Sequence, residues 1–162
     1  VRRVLDGRPA GERDCFIFVH GFNVSFKSAA LRTAQIHYDL EFQGAPLFYS
    51  WPSRGSIRSY FSDRNEIGYS AEHIKRFLLL ASERLNADRI HVIAHSMGAE
   101  GVSCAIASMG GASRKFDQII LAAPDIDANL FREQLAPRIV GRNQSPGDRG
   151  LKPTYFIADR PH

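Results

Sequence analysis

Apolar positions fall along the chain in short continuous runs separated by longer stretches of helical period. Cys15-Phe16-Ile17-Phe18-Val19-His20 is β-branched and aromatic and is closed by Gly21, which predicts a buried strand. Ser25 then caps a helix in which Ala30, Ala34 and Tyr38 recur every four residues, with Leu31 beside them, until Gly44 and Pro46 stop it. The run Ala45-Pro46-Leu47-Phe48-Tyr49-Ser50-Trp51 is a second strand, ended by Pro52. After a Ser- and Arg-rich loop, Asp63 with Glu66 three residues later forms a capping-box-like start. Ile67, Ala71, Ile74, Leu78, Ala81 and Leu85 follow at spacings of four and three, the clearest amphipathic pattern in the sequence.

Arg89-Ile90-His91-Val92-Ile93-Ala94-His95 is the third strand, and small residues from Met97 to Met109 make the next helix, stopped by Gly110-Gly111. Gln118-Ile119-Ile120-Leu121-Ala122-Ala123 is a fourth strand, residues 129–135 a short helix and Thr154-Tyr155-Phe156-Ile157-Ala158 a last strand. Strands apolar throughout that alternate with helices predict an α/β fold: a mainly parallel sheet of about five or more strands with helices on both faces. In such sheets ligands bind beyond the carboxyl ends of the strands, so chemistry is expected just after each apolar run.

The length of 162 residues is that of one domain, 1–162, in which 141–153 is a linker and 154–162 the last strand and end. A chain of this size buries roughly 70% of its unfolded surface, enough to fold without metal or disulfide staples. Cys15 and Cys104 lie far apart and read as buried thiols, with no Cys/His cluster for a structural zinc and no cofactor motif. No apolar run approaches the roughly 20 residues of a membrane span. The net charge of +4 arises from scattered residues such as Arg54, Arg58 and Arg64, a pattern of solvated surface that points away from nucleic acid. The first residue is Val1, an early hint of a trimmed chain, and neither compartment nor oligomeric state can be read.

Chemistry does follow the strands. Ala94-His95-Ser96-Met97-Gly98 after the third strand is a variant of the G-x-S-x-G nucleophile elbow, with alanine in the first small position. Small residues two before and two after the serine permit a sharp strand-to-helix turn that lifts the Ser96 hydroxyl out of the sheet. The helix starting at Met97 then directs unpaired amides and its positive dipole end at the oxygen on which charge develops during acyl transfer. Gly98, Ala99, Gly101 and Ala105 are expected to let this helix approach the strand. The alternative is an ordinary serine capping a helix. His20-Gly21-Phe22-Asn23 after the first strand is an HG-type loop, whose Phe22 amide would join that of Met97 in an oxyanion hole. The bland reading of that loop is a turn in which His20 and Asn23 tie down carbonyls.

A serine needs a base oriented by an acid, in the chain order Ser, acid, His. Asp159 after the last strand is the favoured acid and Asp125 after the fourth strand the second, although Asp125 and Asp127 could equally cap the following helix. Only His162 follows Ser96 among the six histidines, which makes it the candidate base. His37 and His73 fall in helical segments, and His95 is adjacent to Ser96.

The segments Phe18-Val19-His20-Gly21-Phe22-Asn23-Val24-Ser25-Phe26, Tyr49-Ser50-Trp51-Pro52-Ser53-Arg54-Gly55, Ile93-Ala94-His95-Ser96-Met97-Gly98 and Leu121-Ala122-Ala123-Pro124-Asp125-Ile126-Asp127 resemble a bacterial family of α/β-hydrolases of unknown function, esterase- or lipase-like in character. The resemblance runs over about 14–140. It implies a serine hydrolase fold with Ser96 as nucleophile and a site bordered by residues 51–69. Ala99-Glu100-Gly101 departs from the expected Asn and bulkier residue. The family pattern continues with a further strand and a His-bearing loop, so the chain reads as truncated at its C-terminus. The expected activity is cleavage of a small-molecule carboxylic ester of short or medium acyl chain through an acyl-enzyme. The alternatives are a pseudo-hydrolase domain that binds ligands or partners with little turnover, and acyl transfer or thioester hydrolysis on the same fold.

Overall fold

Five segments of the chain pair side by side in a computed structural model, which describes residues 1–53, 60–140 and 154–156. They are β1 (Asp14–Val19), β2 (Ala45–Tyr49), β3 (Arg89–His95), β4 (Gln118–Ala122) and β5 (Thr154–Phe156), in the order β2-β1-β3-β4-β5. Every pairing is parallel. Register between β1 and β3 is pinned at their first residues, where Asp14 lies opposite Arg89 and accepts two guanidinium hydrogen bonds of 2.7 Å. A one-residue slip would turn each apolar side chain to the wrong face, so this bidentate pair defends the alternation. Beside it the Asp88 carboxylate accepts from the Arg13 guanidinium and from the backbone N–H groups of Gly11 and Arg13. The Arg13 contact, before all others, holds Asp88 well below the usual carboxylate range.

The helices are α1 (Arg2–Asp6), α2 (Phe26–Asp39), α3 (Tyr60–Arg84), α4 (Met97–Met109) and α5 (Ala136–Val140), the last continuing a π-helical turn over Leu130–Leu135. Alternation along the strands separates the two faces of the sheet. Cys15, Ile17 and Val19 of β1 join Ile90, Val92 and Ala94 of β3 in one apolar core with Ile67, Ile74 and Leu78 of α3 and Val102 and Ile106 of α4. Phe16 and Phe18 of β1 point the other way, toward the side of α2, where Phe16 meets the Phe42 ring edge-on at 5.1 Å. β1 is thus buried on both faces, whereas in β3 and β4 fully buried positions alternate with half-buried Ile93, Ile120 and Ala122.

Four local expectations are corrected. The stripe of Ala30, Ala34, Tyr38 and Leu31 is not the buried face of α2: Tyr38 is 79% exposed and Leu31 62%, while Ala29 and Thr33 are buried. Small side chains let the helix axis lie close to the sheet, and the Thr33 hydroxyl is satisfied by donating to the Ala29 carbonyl at 2.8 Å. Ser25 does cap the helix, its oxygen accepting from the Ser28 N–H at 3.1 Å. α3 begins at Tyr60, ahead of the Asp63 start, and its stripe of Ile67, Ile74, Leu78 and Ala81 is buried as the spacing requires. Gly101 turns toward α3 rather than the strand: a Cβ there would stand 2.8 Å from the terminal methyls of Ile67 and Ile74. Cys15 is buried, and desolvation pushes its thiol up to about 12, whereas Cys104 is only half-buried. No described helix is long and apolar enough to cross a membrane.

Candidate active site

β1 and β3 are parallel neighbours whose last paired residues are Val19 and Ala94, so the segments that follow them leave the sheet side by side. Ser96 stands where β3 passes directly into α4, with φ 52° and ψ −124°. A non-glycine residue in this region carries about 1–3 kcal/mol of backbone strain, tolerated where the surroundings over-determine it. Those surroundings are explicit. The Ser96 N–H donates to the Ala122 carbonyl at 3.0 Å, and its own carbonyl accepts from Ala99 N–H at 3.0 Å and Asp125 N–H at 3.1 Å. The main chain of Ser96 is fully engaged, while its hydroxyl makes no capping bond to the helix that it precedes. An ordinary capping serine would use that oxygen on the N–H two or three residues on.

Two glycines bring the β1 loop against this turn. A Cβ on Gly21 would lie 2.8 Å from the Ser96 Cβ, and a Cβ on Gly98 would collide with the His20 carbonyl oxygen. Met97, buried and first in α4, has an amide with no carbonyl four residues back to bond. Phe22 follows the glycine that abuts Ser96 and packs its ring against the main core.

His20 is fully buried, and its ring is held on three sides. Its Nδ1 lies 2.8 Å from the Gly21 carbonyl oxygen, its Nε2 lies 3.0 Å from the Ser50 hydroxyl, and it stacks on Trp51 with centroids 5.4 Å apart. A carbonyl only accepts, so Nδ1 carries the proton; burial depresses the imidazole below its ordinary value, and the neutral ring accepts from Ser50 at Nε2. His20 therefore does tie down a loop carbonyl. His91, half-buried on β3 with Nδ1 3.6 Å from Asp117, is likewise depressed by burial, against the pull of that carboxylate. The sign of the pH effect follows. The unfolded chain protonates both rings near pH 6.5 while the folded chain resists, so their contribution is intact above about 6.5 and is lost as pH falls toward the depressed folded values. Thermal midpoints should be flat from pH 8 to 7 and decline from 6.5 to 5; a midpoint unchanged at pH 5 would contradict this.

Of the two candidate acids, Asp125 is half-buried on the loop after β4, its amide on the Ser96 carbonyl. The capping role belongs to Asp127, whose Oδ1 accepts from the N–H groups of Asn129 and Leu130 at 3.0 and 2.8 Å. Asp159 and His162 lie outside the described residues, as does the loop over 54–59. His37 and His73 fall in α2 and α3, and His37 Nε2 meets the Gly44 carbonyl oxygen at 3.3 Å, just ahead of β2 and so at the other end of the strands from Ser96. Among the described residues no cluster of His, Cys, Asp and Glu could hold a metal ion. A groove of about 330 Å³ on the α2 side, lined by Phe18, Val24, Ile36, Ile93 and His95, adjoins the turn at Gly21. The contacts of Ser50 and Trp51 were not legible in the chain. Their signal was a tryptophan ahead of Pro52 at the end of an apolar run, and it named no partner.

A parallel sheet in the order β2-β1-β3-β4-β5, with a strained serine between β3 and its helix and a glycine loop from β1 beside it, defines a protein of the α/β-hydrolase class. Within that class the chain belongs to the family of alpha/beta hydrolases of unknown function (DUF900), whose model matches residues 7–159. The match thus extends past both ends of the 14–140 segment that carries the motifs and takes in Asp159 as its last residue. No curated protein matches the chain.

Proposed function

We propose that the protein is a serine hydrolase that cleaves carboxylic esters through an acyl-enzyme on Ser96. The observation that carries this reading is the backbone of Ser96, strained at φ 52° with its main chain fully hydrogen-bonded and its hydroxyl left out of helix capping. In the reaction, Ser96 Oγ attacks the ester carbonyl carbon and its proton passes to His162, oriented by Asp159 or, as the second choice, by Asp125. The tetrahedral oxyanion is held by the amides of Phe22 and Met97, the latter at the positive end of the α4 dipole. Collapse breaks the bond to the alcohol, which leaves with the proton. Water then attacks the acyl-enzyme with the same base and releases the acid. The groove beside Gly21, at the small end of ligand cavities, fits a short or medium acyl chain better than a long one.

The test is p-nitrophenyl ester hydrolysis, from acetate to octanoate, together with covalent labelling by a fluorophosphonate, in the parent and Ser96→Ala. Labelling confined to the parent supports the reading. Equal rates in both proteins without labelling would leave a pseudo-hydrolase that binds ligands or partners, and preference for a thioester over its oxygen ester would move the substrate class.

A further inference from the structure

We infer that Ser50 and Trp51, at the end of β2, are positioning residues that set the direction of the Phe22 amide, an inference that rests on the serine-hydrolase reading above. Four contacts join residues 50–53 to residues 20–23. Trp51 Nε1–H donates to the His20 carbonyl at 2.7 Å, the Ser50 hydroxyl meets His20 Nε2 at 3.0 Å, the Trp51 and His20 rings stack within 16° of parallel, and Asn23 N–H donates to the Ser53 hydroxyl at 3.0 Å. The first fixes the peptide between His20 and Gly21, whose carbonyl is also hemmed in by Gly98.

The second and third fix the His20 ring, and the ring in turn fixes the next peptide. His20 Nδ1–H donates to the Gly21 carbonyl at 2.8 Å. That carbonyl and the Phe22 N–H belong to one planar trans peptide and point in opposite directions. Anchoring the oxygen on His20 therefore aims the N–H away from it, and the hydroxyl of Ser50 and the indole of Trp51 decide where the anchor stands. A pocket wall would touch the loop only through side chains; here Trp51 and Ser53 bond its main chain directly, and Ser50 and Trp51 hold it through the His20 ring. Trp51 is buried and Ser50 half-buried, so the brace is assembled before substrate arrives.

Removing one oxyanion donor outright lowers kcat by about 10²–10³, so a donor that is misdirected rather than removed should lose less. For Ser50→Ala and Trp51→Phe, kcat on p-nitrophenyl butyrate should fall about ten- to hundredfold with KM changed less than about twofold, and Ser50→Thr, which restores a hydroxyl, should recover most of the rate. Independently of turnover, the backbone ¹⁵N order parameter of Phe22 should drop in both variants from the rigid level near 0.85 toward loop values below about 0.6. Ser50→Ala is the variant that keeps the buried indole and so keeps the fold. If the parent shows neither turnover nor labelling, the hydrolase reading fails, and the Phe22 order parameter still decides the brace. An unchanged order parameter, or a loss confined to KM, overturns it.

Discussion

On the proposed mechanism, replacing Ser96 by alanine is expected to lower kcat for ester hydrolysis by about a millionfold and to abolish fluorophosphonate labelling, because loss of the proposed nucleophile would disable the whole catalytic unit. What remains is the effect of binding and of the two amides. The variant should fold like the parent. Alanine keeps the Cβ that abuts Gly21 and keeps the strained φ of 52°, and the backbone bonds to Ala122, Ala99 and Asp125 do not involve the hydroxyl. Ser96→Gly separates the two roles of the residue. It removes the proposed nucleophile and also releases about 1–3 kcal/mol of backbone strain, so it should be as inactive as the alanine variant and melt several degrees higher. A glycine variant that melts lower than the parent would mean that the turn is held without strain.

The second large effect concerns Gly98. A Cβ at this position would collide with the His20 carbonyl oxygen and come within 2.9 Å of the Val19 carbonyl oxygen, both main-chain atoms of the segment leaving β1. Main chain yields far less than the tip of a side chain. Gly98→Ala should therefore destabilise the fold by about 3 kcal/mol, at the upper end of overpacking costs, and lower the melting midpoint by about 10 °C. Whatever folds should have a displaced β1 loop and a weakened oxyanion site. Gly68→Ala is the control, since a Cβ there meets nothing within 4 Å; its helical position should make it neutral or slightly stabilising. Equal midpoints for the two variants would show that α4 can back away from β1.

Elements whose boundaries are set by local chemistry were legible in the sequence. β3 and α4 fall on the residues expected, since the β-branched run ends at the serine and small residues carry the chain straight into a helix. The buried stripe of α3 was legible for the same reason, as one long period repeated over many turns. The face of α2 was not. Apolar spacing cannot say that Ala29 and Thr33 are chosen for closeness to the sheet while Leu31 and Tyr38 are left in solvent. At the candidate site, the motif located the serine and the glycine loop because each chemical requirement falls within five consecutive residues. The brace from β2 could not be read, because its donors and acceptors lie 30 and 31 residues apart and meet only through strand pairing.

The pairing of β1 with β3 has a consequence for how the molecule acquires its site. The Asp14–Arg89 pair that fixes their register spans 75 residues, and α2, β2 and α3 must be accommodated within that loop. Closing so long a loop is entropically uphill until the strands reward it, and parallel pairing adds no local hairpin to help. The turn at Ser96 and the loop at Gly21 are therefore expected to come together only as β1 and β3 pair. A ribosome-bound chain that has emerged only as far as α3 holds the β1 loop, the proposed oxyanion element, without its serine, and the two can become a site only once β3 is released to pair.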